Sequence, residues 1–471
     1  MKLNNLLNKM ENNNPKTKKN SNLNSLNSKN NKFFKQDNTN KNTMIYQTVK
    51  GMRDFLPEDM IKRDYIISII KKIFEKYGFD PLETPVVEYA ELLEGKYGEE
   101  EKLIYKFKDK ADRDLALRYD LTVPLSRIIA SKPDLTKPFK RYQISRVWRY
   151  DNVQKGRYRE IWQCDIDTIG SKSLLADSEL ISAFTEILDS LKFKKYSINI
   201  NNRKILDAIA RYSEVEEEKI KDVLISLDKF DKIGKDGIIK ELESRSISKD
   251  SIKKIISIVE IKGTSEQILQ KLENLIGNSQ GIKELKELIF YLKQYNVQDK
   301  KYKINLALAR GLDYYTGPIF EVIVDEPKIG SLGGGGRYDK LIGKISGKDN
   351  IPATGFSLGL DRLIDVMNEL KMIPGKKTQT KFFIANVSGK NLKYALNIVR
   401  LLRKNNINAQ FDLMGRDLTK QLNFANYIGI PYVVIIGDDE VKKKEVKIKD
   451  MRTGKENKVK VTNLIKFLNK I

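Results

Sequence analysis

The chain is expected to fold as an α+β protein: a domain built on an antiparallel sheet, interrupted by a helical insertion and followed by a smaller α/β domain. Three observations predict this. From Phe139 to Arg149 and again from Arg157 to Asp167 the pattern alternates with period two, as the strands of an antiparallel hairpin do. From about 200 to 300, Lys, Glu and Ile recur at helical spacing. Beyond a Pro374-Gly-Lys-Lys377 linker, Phe382-Phe-Ile-Ala385, Ala409-Gln-Phe411 and Tyr432-Val-Val-Ile-Ile436 are short apolar runs separated by helical stretches, the pattern of a small α/β domain.

The elements follow in chain order. Residues 1–43 are dominated by Asn, Lys and Ser; such a composition buries too little apolar surface to offset chain entropy and predicts disorder, with Met44 a candidate true start. Order begins near Val49. Gly51-Met-Arg-Asp-Phe-Leu-Pro57 leads into a helix with Ile66, Ile69, Ile70, Ile73 and Tyr77 on one stripe, Pro57 in its first turn and Gly78 placed to end it. Phe79 to Pro85 reads as extended, because proline biases its predecessor away from helix. In the hairpin, Tyr142, Ile144, Trp148, Trp162, Cys164 and Ile166 form the apolar face, and the polar face, with Gln163 and Asp167, turns to a cleft or to water. Gly234 and Gly237 break the helical region, and sheet residues resume at Ile319 to Val324. These readings place a catalytic-type domain at 44–200 and 301–373, the insertion at 201–300 and the last domain at 379–471.

A length of 471 residues and 40% apolar content suit about three packed domains. The formal charge of +24 favours a polyanionic partner such as nucleic acid, with codon bias toward Lys and Asn an equal explanation. A single cysteine, Cys164, excludes an internal disulfide and a Cys-cluster zinc site, which points to a reduced, cytoplasmic setting. No apolar run approaches the roughly 20 residues that span a bilayer. There is no histidine, so imidazole triads, metal ligands and proton shuttles are all excluded.

Chemistry concentrates in three stretches: Arg310-Gly-Leu-Asp-Tyr-Tyr-Thr-Gly317, Gly333-Gly-Gly-Gly-Arg-Tyr-Asp339 and Thr354-Gly-Phe-Ser-Leu-Gly-Leu-Asp-Arg362. Each has glycines that let backbone approach a ligand and an arginine whose planar fork suits phosphate or carboxylate, and the first two add tyrosines. Alone, Gly333 to Gly336 reads equally as a flexible turn. Arg141 and Arg159 on the polar hairpin face read as solvated charges, Asp165 equally as an ion-pair partner, and Lys442 to Lys444 as an exposed turn; none is assigned to the site.

Together these segments resemble the catalytic core of class II aminoacyl-tRNA synthetases, and most closely the histidyl-tRNA synthetase family, whose signatures stand at 310–315 and 334–339. The segment around Pro85 resembles the first, dimer-forming class motif, the hairpin the second and 354–362 the third. The resemblance covers the chain from about residue 49 onward. It implies activation of L-histidine with ATP to histidyl-adenylate, then transfer to the 3′ end of tRNA(His), by a homodimer with a C-terminal anticodon-binding domain. It implies that Arg149 holds the α-phosphate of ATP, Arg362 the γ-phosphate, and Arg310 a position near the carboxylate and α-phosphate, with Asp151 and Arg157 meeting the nucleotide. Asp120 and Thr122 would take the α-ammonium group. Gln163 and Asp167 would approach the ammonium or carboxylate and one imidazole nitrogen, and Tyr314 and Tyr315 the other, with Tyr338 nearby. Gln154 matches a position that reads the extra 5′ guanosine of the tRNA. Mg²⁺ would arrive on the phosphates of ATP, with no protein-ligated metal. Asp stands at 120 and 167 where bacterial members usually carry Glu, closer to the archaeal and eukaryotic branch. A non-catalytic paralogue that binds histidine or tRNA as a regulator is the alternative, disfavoured by the anticodon domain and by the retained Arg149, Arg310 and Arg362.

Overall fold

The computed structural model describes residues 46–310, 314–327, 329–373 and 375–470, so the expected disordered tail and Met44 lie outside the described residues. The chain divides into a short unit, Met1–Asp54, and a large one, Phe55–Ile471, which carries every strand and helix named here. The strands are β1 (Asp80–Pro81), β2 (Val87–Tyr89), β3 (Lys106–Lys108), β4 (Asp114–Leu117), β5 (Phe139–Trp148), β6 (Glu160–Ile169), β7 (Tyr196–Asn202), β8 (Tyr302–Ile304), β9 (Pro318–Val324), β10 (Gly333–Arg337), β11 (Ala353–Gly359), β12 (Phe382–Asn386), β13 (Ala409–Phe411), β14 (Tyr432–Ile436), β15 (Glu445–Asp450) and β16 (Glu456–Lys460).

An eight-stranded sheet runs β1-β5-β6-β11-β10-β9-β7-β8, antiparallel except at its two edges, where β1 on β5 and β8 on β7 are parallel. The predicted hairpin is β5 and β6, with Arg141 opposite Asp167 and Gln143 opposite Asp165. Its second strand begins three residues later than expected. Gln154 and Arg157 exchange backbone hydrogen bonds of 3.1 and 2.9 Å around Lys155-Gly156, a tight turn with Gly156 at φ +73°, and this turn occupies the residues before Glu160.

One face of the sheet is the core. Cys164 and Ile166 of β6, Phe320 and Val322 of β9, and Phe356 and Leu358 of β11 are almost fully buried. They meet the helices Pro57–Lys76 and Leu174–Ser190, and the Phe184 ring lies 4.0 Å from Phe356, centroid to centroid. The first helix forms where the stripe predicted it, with Pro57 at its start, where a missing N–H costs nothing, and Gly78 at φ +75° just beyond its end. Six helices follow between Arg203 and Gln294, and the chain kinks at Gly234 but stays helical at Gly237.

Gly333–Gly336 is a strand, not a turn, and lies between β9 and β11. A Cβ on Gly335 would stand 2.0 Å from the Gly355 carbonyl, so the glycines permit an approach that larger residues would block. A separate three-stranded sheet, β2-β4-β3, has no counterpart in the sequence analysis; its alternation is inverted, with Val87 and Tyr89 exposed while Glu88 is buried against Arg127 at 2.8 Å.

The last domain is a five-stranded sheet, β13-β12-β14-β15-β16, parallel in its first three strands. Both faces of β12 are buried, Phe382 and Ile384 in one cluster and Phe383 and Ala385 in another, which explains its continuous apolar run. β15 and β16 escaped the sequence analysis: they are short and rich in charge, and four of the five β16 residues are charged or polar. Lys442, Lys443 and Lys444 are exposed, as expected.

Candidate active site

Opposite the core, the sheet floors a cavity of about 740 Å³. Directly paired residues of antiparallel strands share a face, so Gln163, Asp165 and Asp167 of β6 stand beside Gly359, Ser357 and Gly355 of β11. The glycines make room for charged side chains. A Cβ on Gly355 would lie 2.0 Å from Asp167 Oδ1, and one on Gly334 would lie 2.1 Å from Arg310 Nη1. Gly355→Ala is expected to destabilise the protein by about 1–3 kcal/mol through overpacking; a lower urea midpoint at unchanged slope would show it, and an unchanged midpoint would mean that Asp167 can move aside freely.

Asp120, Thr122, Arg149, Gln154, Arg157, Gln163, Asp167, Arg310, Tyr314, Tyr315, Tyr338 and Arg362 all line this cavity. Asp151 does not; it lies 3.3 Å from the Arg157 guanidinium and steadies the loop behind it. Residues more than two hundred positions apart thus share one space.

Four arginines converge here. Arg362 donates from Nε to the Gly156 carbonyl at 3.1 Å and from Nη1 to the Ser331 carbonyl. Its neighbour Asp361 accepts the Trp162 amide at 2.7 Å and pairs with buried Arg63. Burial, then the like charges of Arg157 and Arg149, push the Arg362 guanidinium below its usual range. Arg149 donates from Nε to the Tyr119 carbonyl at 3.1 Å and lies 4.4 Å from the centre of the Tyr119 ring. Arg310 stands 3.8 Å from Glu321 of β9. Mutual repulsion among buried cations is relieved by an anion between them.

The acceptors are arranged differently. Asp120 Oδ1 receives the Tyr97 hydroxyl at 3.0 Å and the Thr122 and Val123 amides at 3.2 and 3.0 Å, while its buried Oδ2 has no hydrogen-bond partner among the described residues. The same is true of Gln163 Oε1, whose amide nitrogen donates to Ser357 Oγ at 2.8 Å. Asp167 Oδ1 accepts the Tyr338 hydroxyl at 2.5 Å, and Oδ2 lies 2.8 Å from the Arg141 guanidinium as an ion pair but has no hydrogen-bond partner among the described residues. Tyr314 packs against Tyr315 and Tyr338, with centroids 4.9 and 6.0 Å apart; burial lifts all three phenols, which remain neutral donors.

One side chain departs from expectation, and the sequence leaves a second open between two readings. Arg141 is not a solvated charge but fully buried, because its strand is interior and Asp167 sits directly opposite. Asp165 is 3% exposed and lines the cavity. The sequence analysis also missed Glu100, which accepts the Tyr119 hydroxyl at 2.6 Å, and Asp228 and Lys232, which the helical region contributes to the cavity wall. No local pattern marks these three; only the packing of helices against the sheet brings them in.

Residues 51–363 match the family model of histidyl-tRNA synthetase, and residues 381–471 match that of an anticodon binding domain. The chain is 40% identical over 429 residues to histidine–tRNA ligase of Clostridium tetani, covering 89% of this chain and 97% of that protein. It is 40% identical over 395 residues to histidine–tRNA ligase of Aeropyrum pernix, covering 83% and 90%. The crystal structure of histidyl-tRNA synthetase from Nostoc sp. PCC 7120 superposes with a TM-score of 0.80 at 32% identity, covering 91% of this chain and 100% of that one. With an antiparallel sheet, an arginine-lined cavity and these matches, the chain belongs to the histidyl-tRNA synthetase family.

Proposed function

We propose that the chain is a histidine–tRNA ligase that activates L-histidine with ATP and then esterifies it to the 3′ end of tRNA(His). The observation that carries this reading is one cavity holding both four arginines and buried acceptors that lack hydrogen-bond partners among the described residues, next to a set of neutral phenols. In the first step a carboxylate oxygen of histidine attacks the α-phosphorus of ATP; the bond to the bridging oxygen of the β-phosphate breaks and pyrophosphate leaves. That carboxylate is already ionised at neutral pH, so a chain without histidine needs no general base here. Placement and charge compensation are what the step requires.

Arg149 would hold the α-phosphate, Arg362 and Arg157 the outer phosphates, and Arg310 the carboxylate where it meets the α-phosphate. ATP would enter as its Mg²⁺ complex. The free oxygen of Asp120 and the hydroxyl oxygen of Thr122 suit the α-ammonium group, and Gln163 suits the same end of the amino acid. In the second step the terminal hydroxyl of tRNA attacks the adenylate carbonyl, AMP leaves, and a phosphate oxygen can take the proton. Gln154, exposed at the mouth of the cavity, would meet the acceptor end of the tRNA, and the 381–471 domain its anticodon.

Homodimer formation rests on the inverted sheet: Tyr89, Leu115 and Phe107 are cross-strand neighbours, and Tyr89 and Phe107 are 53% and 43% exposed, as suits a face covered by a second copy. Among the described residues no helix is long and apolar enough to cross a membrane, and we place the enzyme in the cytoplasm. Amino-acid-dependent ATP–pyrophosphate exchange, run with each of the twenty amino acids, tests the reading. Exchange with histidine alone is expected. No exchange with any amino acid would assign the chain to the regulatory, non-catalytic alternative.

A further inference from the structure

Arg149 is the arginine of the cavity that Tyr119 grips twice. Its Nε donates to the Tyr119 carbonyl at 3.1 Å, and its guanidinium lies over the Tyr119 ring, 4.4 Å from the centre. Nε is the only nitrogen of that group with a hydrogen bond among the described residues, so the outer fork is left to the cavity. Tyr119 is held in turn by its own hydroxyl, which donates to Glu100 Oε2 at 2.6 Å, the length of a charge-assisted bond. Burial lifts the Tyr119 phenol above its usual range, opposed by Arg149 and reinforced by Glu100, so it stays a neutral donor.

Glu100 belongs to a short 3₁₀ segment, Gly98–Leu103, outside the large sheet, and its half-buried side chain lines the cavity. At the end of this segment the Leu103 carbonyl accepts the amide of Tyr150, the residue after Arg149, at 2.7 Å. The segment therefore reaches Arg149 by two routes, through its chain neighbour and through the Tyr119 ring. A carboxylate that faced a triphosphate alone would repel it. Turned to the phenol, the same charge polarises the hydroxyl, makes the ring face more negative and holds the guanidinium on it more firmly.

From this geometry we infer that Glu100 is a positioning residue for amino-acid activation: acting through Tyr119, it fixes the Arg149 guanidinium where charge builds on the α-phosphate. The inference rests on the function proposed above and deepens it. A cation fixed in advance favours the transition state, in which that charge is largest, over the bound substrates. Loss of Glu100 is therefore read in kcat and not in the binding of ATP.

The test is histidine-dependent ATP–pyrophosphate exchange by the full chain, at a temperature where thermal melting shows every variant folded. The variants are Glu100→Ala, Glu100→Gln, Tyr119→Phe and the double variant Glu100→Ala/Tyr119→Phe. Glu100→Ala is expected to lower kcat roughly tenfold, the lower end for a hydrogen bond to a charged group, with the KM for ATP unchanged or lower. Tyr119→Phe keeps the ring and is expected to lower kcat by a similar factor. The double variant falls no further than either single one, because both changes remove the same bond. Glu100→Gln keeps an acceptor for the hydroxyl and recovers part of kcat. A Glu100→Ala enzyme with parental kcat would overturn the inference while leaving the proposed function standing, as would a raised KM for ATP at parental kcat. Losses that multiply in the double variant would overturn it too, since Glu100 would then act on the ligand or the fold and not through Tyr119. A parent that exchanges no histidine would overturn the proposed function itself.

Discussion

Arg310→Ala lowers histidine-dependent pyrophosphate exchange by about a thousandfold, the scale seen when one preorganised charge-stabilising donor is removed. The arginine reaches the cavity only because residue 334 is glycine, and it stands 3.8 Å from Glu321. Its loss has two consequences in the same direction. A cation is withdrawn from the place where charge builds on the α-phosphate, and Glu321 loses the guanidinium 3.8 Å from it. Arg310→Lys recovers little, because a point charge does not reproduce a planar fork. Steady-state exchange at saturating ATP measures the effect, and a variant that keeps full exchange would remove Arg310 from the mechanism.

Arg141→Met destabilises the folded protein by about 3–5 kcal/mol, as removal of one partner of a buried ion pair does. Arg141 is fully buried, donates from Nη2 to the Leu121 carbonyl at 3.0 Å and pairs with Asp167 at 2.8 Å. Without it Asp167 keeps a buried charge with only the Tyr338 hydroxyl to hold it. Adding Asp167→Asn to Arg141→Met removes that charge and restores most of the loss, so the two changes are strongly non-additive. Urea unfolding of the two single variants and the double variant reads this directly; additive losses would mean that the pair contributes no coupling. The pair also holds the floor of the cavity in place, so even folded Arg141→Met has a raised KM for histidine.

Some features were legible because they are periodic or strongly local. β5 and β6 alternate with period two, the first helix carries an isoleucine stripe behind Pro57, and Ala353–Gly359 gives way to a helix at Leu360. Others were illegible for equally physical reasons. Gly333–Gly336 has a turn-like composition and becomes a strand because β9 and β11 close on it from both sides. β8 is three residues long and is defined by its edge pairing with β7, not by its own pattern. Arg141 carries the residue type of a surface charge, and Asp165 and Asp167 are chemically identical and two residues apart.

The sequence by itself determined the hairpin, the helical region that follows it and the identity of the cations in the cavity, because periodicity, glycine spacing and guanidinium chemistry are properties of residues in a row. Only the tertiary structure decided how those groups are used. Strand register set Asp167 against Arg141 and Gly355, and Asp165 against Gln143 and Ser357, so that Asp167 meets a guanidinium while Asp165 meets uncharged side chains across both strands. The difference arises from pairing across strands, where the environment of a charge is fixed by residues distant in sequence.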